Sequence, residues 1–297
     1  MLNEADNYIK MKKLFYGKKL LGSFLLMSML VLFGCGPSKE RLAAESLLNE
    51  AQSQLDSGNF QQAFKLLDSI SVAYPKETEI RKQAMFLRTS VIEAETLKEI
   101  SYNDSMSAEM KILYDQVLPR MKKVENPQLV EGYWIAIDGN DPKFMESTGI
   151  QARVSEDGEF YVISEVNGAN NLHHSSFSLS TPSGVKVHSD TVPFDNELNY
   201  RINNSETVTY SGENTDSVGR FAVRYVNDPI KLIFIGEDGK TKTVNLKTDQ
   251  IQAIADAYLM ASSLTKGKRL SAQRELLERK LQLARDQKAR TLPDQSK

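Results

Sequence analysis

The sequence contains one cysteine, one tryptophan and three histidines among its 297 residues. One cysteine cannot form a disulfide within the chain, so the small disulfide-stapled folds of secreted proteins are excluded. The chain also lacks a glycine-rich phosphate loop. Ser183 and Ser263 each begin a Ser-x-x-Lys match, but this motif is short and common, and its accompanying Lys-Thr-Gly element is absent. The sequence therefore predicts no catalytic residue and no cofactor, and it favours a non-catalytic protein, with an enzyme as the alternative.

The scarcity of histidine also argues against a metal site. His173 and His174 are adjacent in a predicted strand, so their side chains point to opposite faces and cannot readily share one ion. His188 could join only one of them, and no Cys or His-x₃-His spacing supports a zinc site. No metal is predicted.

Long apolar runs are scarce too, and the one that stands out is close to the N-terminus. It covers residues 20–33, which is 14 residues and short for a membrane span of about 20. A basic stretch precedes it, formed by Lys12, Lys13, Lys18 and Lys19. This order is typical of an export signal, with Met1 or Met11 as the start.

The apolar run ends in Leu32, Phe33, Gly34 and Cys35, and Cys35 is the sole cysteine. This ending resembles the lipobox of bacterial lipoproteins. The resemblance implies cleavage after Gly34, a lipid on Cys35 and anchoring of the exported protein to a membrane. Gly36 stands where an inner-membrane retention signal would place Asp, which favours the outer membrane.

Charge excludes one class of partner. Removing residues 1–34 takes away five lysines and two acidic residues, which leaves 32 basic and 37 acidic groups and a formal charge of −5. Nucleic acid is therefore not expected as a partner, since binding phosphates requires a basic field.

Helical periodicity follows a short tether at residues 35–39. Apolar residues recur at spacings of three and four on both sides of a turn at Gly58. This hairpin resembles one tetratricopeptide repeat, with Ala51, Phe60, Ala63 and Pro75 at matching positions. The repeat does not recur, so an ordinary helical hairpin explains the pattern equally well. Further helix is expected to residue 126. A coiled-coil-like seam runs to Ala94, a break follows at residues 101–104, and Pro119 should kink the next helix or split it in two.

The period changes to two over residues 127–247, where short strands alternate with polar turns. Asp157-Gly158 and Asp238-Gly239 each lie between extended segments and predict hairpins. The prediction is an antiparallel β-sandwich or small barrel, with one strand at residues 218–226. With C-terminal helices at 248–292, broken at Gly267, and a tail at 293–297, the fold class is α+β.

The C-terminal helical segment is basic. Between Lys266 and Arg290 there are nine basic and three acidic residues. Such a segment could bind an anionic envelope component, or it could be a solvated helix that packs on the acidic helices before it.

Four Asp-Ser/Thr-apolar triplets form another pattern, and three fall in predicted loops at Ser105, Thr191 and Ser217. They resemble the O-glycosylation acceptor used by some two-membrane bacteria on exported proteins. Chance matches to a short pattern would explain them as well.

The sequence thus favours a lipid-anchored envelope protein that acts as a non-catalytic interaction module. Its expected partners are the membrane, through the lipid on Cys35, and a protein or glycan of the envelope. The alternative is an envelope hydrolase or small-ligand-binding protein whose site residues meet only in the folded β domain.

Overall fold

The computed structural model describes residues 38–125, 132–139, 141–168 and 172–291. The predicted export signal, Cys35 and the tail lie outside these residues. The described chain is α+β, as predicted from the sequence. Along the chain, helices come before and after the strands of two antiparallel sheets, and one helix lies between strands. It divides into two compact units: of the described residues, those at 38–97 and 280–291 form unit 1, and those between 98 and 279 form unit 2.

The described helices and strands follow one another in a simple order. The helices are α1 (Lys39–Asp56), α2 (Phe60–Ala73), α3 (Thr78–Val117), α4 (Glu213–Arg224) and α5 (Thr248–Thr291). The first five strands are β1 (Met121–Val124), β2 (Tyr133–Ala136), β3 (Gly149–Ser155), β4 (Phe160–Asn167) and β5 (His174–Ser180). The others are β6 (Lys186–His188), β7 (Asn199–Ile202), β8 (Ser205–Ser211), β9 (Ile230–Gly236) and β10 (Thr241–Leu246).

Unit 1 is built around the hairpin of α1 and α2. Ser38 caps α1 by accepting a hydrogen bond from the backbone N–H of Arg41 at 3.0 Å. Gly58 has a φ of +74°, which lets the chain reverse between the two helices at low cost. Ala51 and Ala63 are fully buried, so small side chains lie in the core of the hairpin. The first turns of α3 complete the core with Ile80, Ala84, Leu87 and Val91.

Unit 2 contains both sheets. The six-stranded sheet has the order β1-β2-β3-β4-β8-β7 and the four-stranded sheet has the order β10-β9-β5-β6, with every neighbouring pair antiparallel. The sheets share a core, in which the ring of Phe177 on β5 packs edge-on to Tyr210 on β8 with ring centroids 5.0 Å apart. Two separate sheets facing one core make a sandwich, which decides between the two predicted architectures.

Both predicted Asp-Gly hairpins are confirmed. The first joins β3 to β4 and the second joins β9 to β10. Gly158 and Gly239 have φ angles of +91° and +80°, the conformation for which glycine carries little steric cost.

The predicted strand at residues 218–226 is wrong, because this segment belongs to helix α4. Val218, Phe221 and Ala222 are buried at helical spacing in the core of unit 2. Glu213 and Asp216 lie in the first turn, where their charges favour the helix N-terminus. Alternating apolar residues in the second half of this segment also fit a strand, so the pattern was ambiguous.

Both predicted helix breaks are wrong as well, since α3 and α5 run through them. Within the first break, Asn103 is buried and donates a hydrogen bond to the carbonyl of Leu270 on α5 at 3.1 Å. Gly267 lies inside α5, where a glycine costs only about 1 kcal/mol relative to alanine. The packing of unit 2 therefore outweighs the local preference at both positions.

The predicted continuation of helix towards residue 126 is also corrected. Helix α3 ends at Val117, a short 3₁₀ turn carries Pro119, and residues Met121–Val124 form strand β1. Proline cannot donate the backbone hydrogen bond that an α-helix needs, so the helix ends before it.

Candidate functional site

Unit 2 encloses a buried polar network between its two sheets. His174 on β5 lies between Ser164 on β4 and Glu206 on β8. The Ser164 Oγ is 2.7 Å from His174 Nε2, and His174 Nδ1 is 2.9 Å from a carboxylate oxygen of Glu206. Serine, histidine and carboxylate thus follow one another as they do in a catalytic triad.

The carboxylate of Glu206 also binds the backbone. It accepts hydrogen bonds from the N–H groups of His173 at 2.6 Å and of His174 at 2.7 Å. His173 has a φ of +52°, a backbone conformation that is uncommon for residues other than glycine. Burial acts to raise the pKa of Glu206, but the hydrogen bonds from His174 and His173 outweigh it and hold that pKa below its usual value. The charged carboxylate is therefore the form that this network stabilises.

Two further side chains complete the network. The hydroxyl groups of Ser164 and Tyr210 lie 3.4 Å apart, and burial raises the pKa of Tyr210. Asn199 donates to the carbonyl of His174 at 3.3 Å and to that of Val192 at 2.8 Å. These contacts join β4, β5, β7 and β8 across the interface between the sheets.

The exposure of the network decides what it can do chemically. The exposed fraction is 0% for Ser164 and His174 and 3% for Glu206. None of the three lines any of the grooves described below. A nucleophile must reach its substrate, so in this state the network holds the two sheets in register instead of presenting a reactive hydroxyl.

The opposite face of the six-stranded sheet carries a second buried carboxylate. Glu165 is 0% exposed and accepts a hydrogen bond from Thr207 at 2.6 Å. Its other oxygen is buried and has no hydrogen-bond partner among the described residues. Burial raises the pKa of Glu165 to about 7, the Thr207 hydroxyl partly opposes this, and the nearby charge of Glu206 adds to it.

The surface of unit 2 carries a groove between the β3–β4 hairpin, the start of α4 and the middle of α5. We call it the acidic groove; its volume is about 480 Å³. Phe160 and Tyr258 line it and pack edge-on with ring centroids 5.5 Å apart. Glu159 and Asp216 also line it; burial raises the pKa of Asp216, Arg220 opposes this, and the charge of Glu159 adds to it.

Hydrogen bonds hold the hairpin side of the acidic groove in place. Thr265 on α5 donates to the carbonyl of Gly158 at 3.0 Å, and Lys268 donates to the carbonyl of Asp157 at 2.8 Å. Lys266 and Arg269 add positive charge to the lining. The groove therefore offers both signs of charge, hydroxyl groups and aromatic surface, a mixture suited to a small polar ligand.

A second groove of unit 2 lies between α3 and α5 and has a volume of about 550 Å³. Its lining is partly apolar, with Met110, Tyr114 and Leu264, and Gly267 leaves open space beside it. Asp104 and Arg274 form an ion pair at 2.8 Å along the same groove.

The basic part of α5 is largely paired with acidic side chains. In unit 1, Arg285 and Lys288 both bind Glu93 at 3.0 Å, and their hydrogen bonds lower the pKa of Glu93. Lys280 lies 3.7 Å from Glu95. These contacts favour the second interpretation from the sequence, a helix that packs on acidic neighbours.

The three predicted glycosylation positions lie in different surroundings. Ser105 lies on α3 and Ser217 on α4, and each hydroxyl donates to the backbone carbonyl four residues earlier, at 3.0 and 3.2 Å. All three positions were expected in loops. Thr191 does lie in an exposed loop, and the expectation is wrong for Ser105 and Ser217. Cys35 lies outside the described residues.

The histidines do not meet. His174 is buried between the sheets, whereas His188 is exposed on β6 and pairs with Ser178. Over residues 38–125, 132–139, 141–168 and 172–291, no three His, Cys, Asp or Glu side chains are grouped so that they could hold a metal ion.

One signal in the sequence could have indicated the buried network. Ser164 and Glu206 occupy the face of their strands that otherwise carries Val162, Val166, Val208 and Tyr210. A polar residue in an apolar register position indicates a partner across the core. His174 could not be assigned to this pair from one sequence.

Comparisons with known proteins give no family for this chain: no family model, no curated protein and no solved structure matches it. Among the helices of the described residues, none combines the length and the apolar character needed to cross a bilayer.

Proposed function

We propose that the protein is an exported bacterial lipoprotein, anchored by lipid on Cys35, most simply at the outer membrane. Its folded units then act as a non-catalytic binding module for a protein or glycan of the envelope. The observation that carries the proposal is the coincidence of basic stretch, apolar run, lipobox and sole cysteine. Helix α1 begins four residues after Cys35, which leaves room for only a short tether.

Two or more acyl chains on Cys35 would hold such a protein firmly in the bilayer, because each buried CH₂ group contributes about 0.8 kcal/mol to membrane binding. The test is Cys35→Ser, with Ser28→Ala inside the apolar run as the matched control. Wild type and Ser28→Ala are expected in the membrane fraction after a high-salt wash, at mature size. Cys35→Ser should accumulate as a larger precursor; normal processing of that variant would refute the anchor.

The sealed Ser164–His174–Glu206 network supports the non-catalytic part of the proposal. It is the one triad-like arrangement among the described residues, and substrate has no access to it in this state. Ser164→Ala should therefore leave the binding of any envelope partner unchanged. A hydrolytic activity of the purified protein that disappears in Ser164→Ala would contradict this.

A second candidate function, binding of a small polar ligand, is favoured by the acidic groove. Asp216 and Glu159 are two carboxylates in one groove with aromatic walls, the arrangement that a sugar-binding site would use. The test is saturation-transfer NMR with a linear amino-sugar oligosaccharide. Asp216→Asn should abolish the signal, whereas Asp228→Asn, an exposed position outside the groove, should retain it. No signal with wild type would remove this candidate.

A further inference from the structure

The covalent reach of the tether limits where unit 1 can lie. Cys35 precedes Ser38 by three residues, and three extended residues span at most ~11 Å. If the acyl chains on Cys35 are in a bilayer, as the proposed function requires, the start of α1 must lie within that distance of the lipid headgroups.

The contacts of Ser38 show which other parts of unit 1 share this end. Its hydroxyl donates to a carboxylate oxygen of Glu77 at 3.2 Å, so the start of α1 adjoins the connection between α2 and α3. The turn at Gly58 lies at the opposite end of the hairpin. Helix α1 has 18 residues, so the two ends are separated by ~27 Å.

Exposed apolar side chains occur at this same end. Val72, in the last turn of α2, is 82% exposed, the highest value among the large hydrophobic side chains of the described residues. Leu42, in the first turn of α1, is 52% exposed. Three exposed cationic side chains accompany them, namely Lys39, Arg41 and Lys76, against one exposed acidic side chain, Glu40. Arg41 also forms an ion pair with Glu45 at 2.9 Å, so Lys39 and Lys76 supply most of the positive charge offered to a lipid surface. We call residues 38–42 together with residues 72–76 the tether end.

We propose that the tether end of unit 1 rests on the lipid surface that holds Cys35, with Val72 and Leu42 at the boundary between headgroups and acyl chains. The short reach of the tether and the exposure of two apolar side chains beside it are independent observations. Both indicate that the lipid surface covers the tether end. Apolar side chains next to lysine and arginine are the composition that interfacial membrane contacts use. The contact would fix the orientation of the hairpin on the membrane, which a covalent link at Cys35 alone would not do.

The test uses the full lipidated protein in phospholipid vesicles. Since the sulfur of Cys35 carries lipid in the mature protein, an introduced cysteine is its only free thiol. Val72→Cys receives an environment-sensitive fluorophore, and a quencher is placed on the lipid acyl chains. Ser53→Cys is the matched control, because Ser53 is exposed on α1 about 22 Å along the helix from Ser38.

The expected result is quenching at position 72 that is at least about threefold stronger than at position 53. Equal quenching at both positions would overturn the inference. A blue-shifted emission at position 72 without lipid quenching would also overturn it, because a protein partner or a second copy would then cover this end. The intact mass of the same preparation separates the two proposals: a missing lipid refutes the anchor, whereas lipid present with equal quenching refutes only the contact.

Discussion

Replacing Glu165 by glutamine should change how the stability of unit 2 depends on pH. Glu165 is fully buried, and its pKa is raised from 4.5 to about 7. Glutamine has almost the same shape and can still accept the hydrogen bond from Thr207, but it does not titrate. The variant therefore removes the titration with little change in packing.

The direction of the effect follows from proton linkage. Below pH 4.5 the carboxyl group is protonated in both the folded and the unfolded chain, so it makes no difference to stability. Between pH 4.5 and about 7 the unfolded chain loses the proton while the folded chain keeps it, so the free energy of unfolding falls as pH rises. Above pH 7 the full loss remains, about 3 kcal/mol at 1.36 kcal/mol per pKa unit.

Denaturant unfolding followed by the fluorescence of Trp134 measures this effect, because Trp134 is the sole tryptophan and lies in unit 2 on β2. Between pH 5 and pH 8 the wild type should lose about 2–3 kcal/mol more stability than Glu165→Gln. Glu206 does not interfere with this measurement. Its pKa is lowered in the folded chain, so its contribution to the free energy of unfolding is lost only below pH 4.5, outside the measured range.

Glu197→Gln is the control, because this carboxylate is exposed in the loop before β7, and it should follow the wild type. If the free energies of unfolding of wild type and Glu165→Gln changed in parallel with pH, Glu165 would have the same pKa in the folded and the unfolded chain. That result would refute the account of its burial.

Three other substitutions test the packing of unit 2, each by the same unfolding assay. Gly219→Ala should destabilise by about 1–3 kcal/mol, because its Cβ would lie 2.3 Å from the ring of Tyr258; an unchanged midpoint would contradict this. Gly267→Ala should instead stabilise by about 0.5–1 kcal/mol, since nothing lies within 4 Å of that Cβ, and any destabilisation would mean that α5 needs the glycine. Arg120→Ala should cost about 1–3 kcal/mol, because the buried Asp256 would lose two charged hydrogen bonds of 2.8 and 2.7 Å but would keep the one from Gln252, and the Arg120 side chain is 48% exposed. A loss below 0.5 kcal/mol would show that solvent replaces this ion pair in full.

Where local chemistry dominates, the sequence predicted the structure well. Asp157-Gly158 and Asp238-Gly239 formed hairpins because a turn with positive φ depends on the residues in the turn itself. The α+β class followed from the change of period from 3.6 to 2.

Where packing decides, the sequence was misleading. The segment that forms α4 carries apolar residues that fit both periods, and burial of Val218 and Phe221 selects the helix. The break at residues 101–104 did not form, because the carbonyl of Leu270 satisfies the buried amide of Asn103. Such a partner, 167 residues away in the chain, cannot be read from local composition.

The candidate sites show the same limit. Ser164, His174 and Glu206 come from three strands, and their meeting depends on how one sheet is laid on the other. The acidic groove combines a hairpin with parts of α4 and α5, one of which was predicted as a strand. The proposed anchor on Cys35 is a different case, because the resemblance to a lipobox is a local pattern that depends on the sequence alone.

The most direct measurement for the central claim is the intact mass and N-terminal fragment of the protein isolated from native membranes. The account predicts a chain that begins at Cys35 and carries the mass of its acyl groups. A chain that retains residues 1–34, with a free thiol at Cys35, would contradict the membrane anchor and every partner inferred from it.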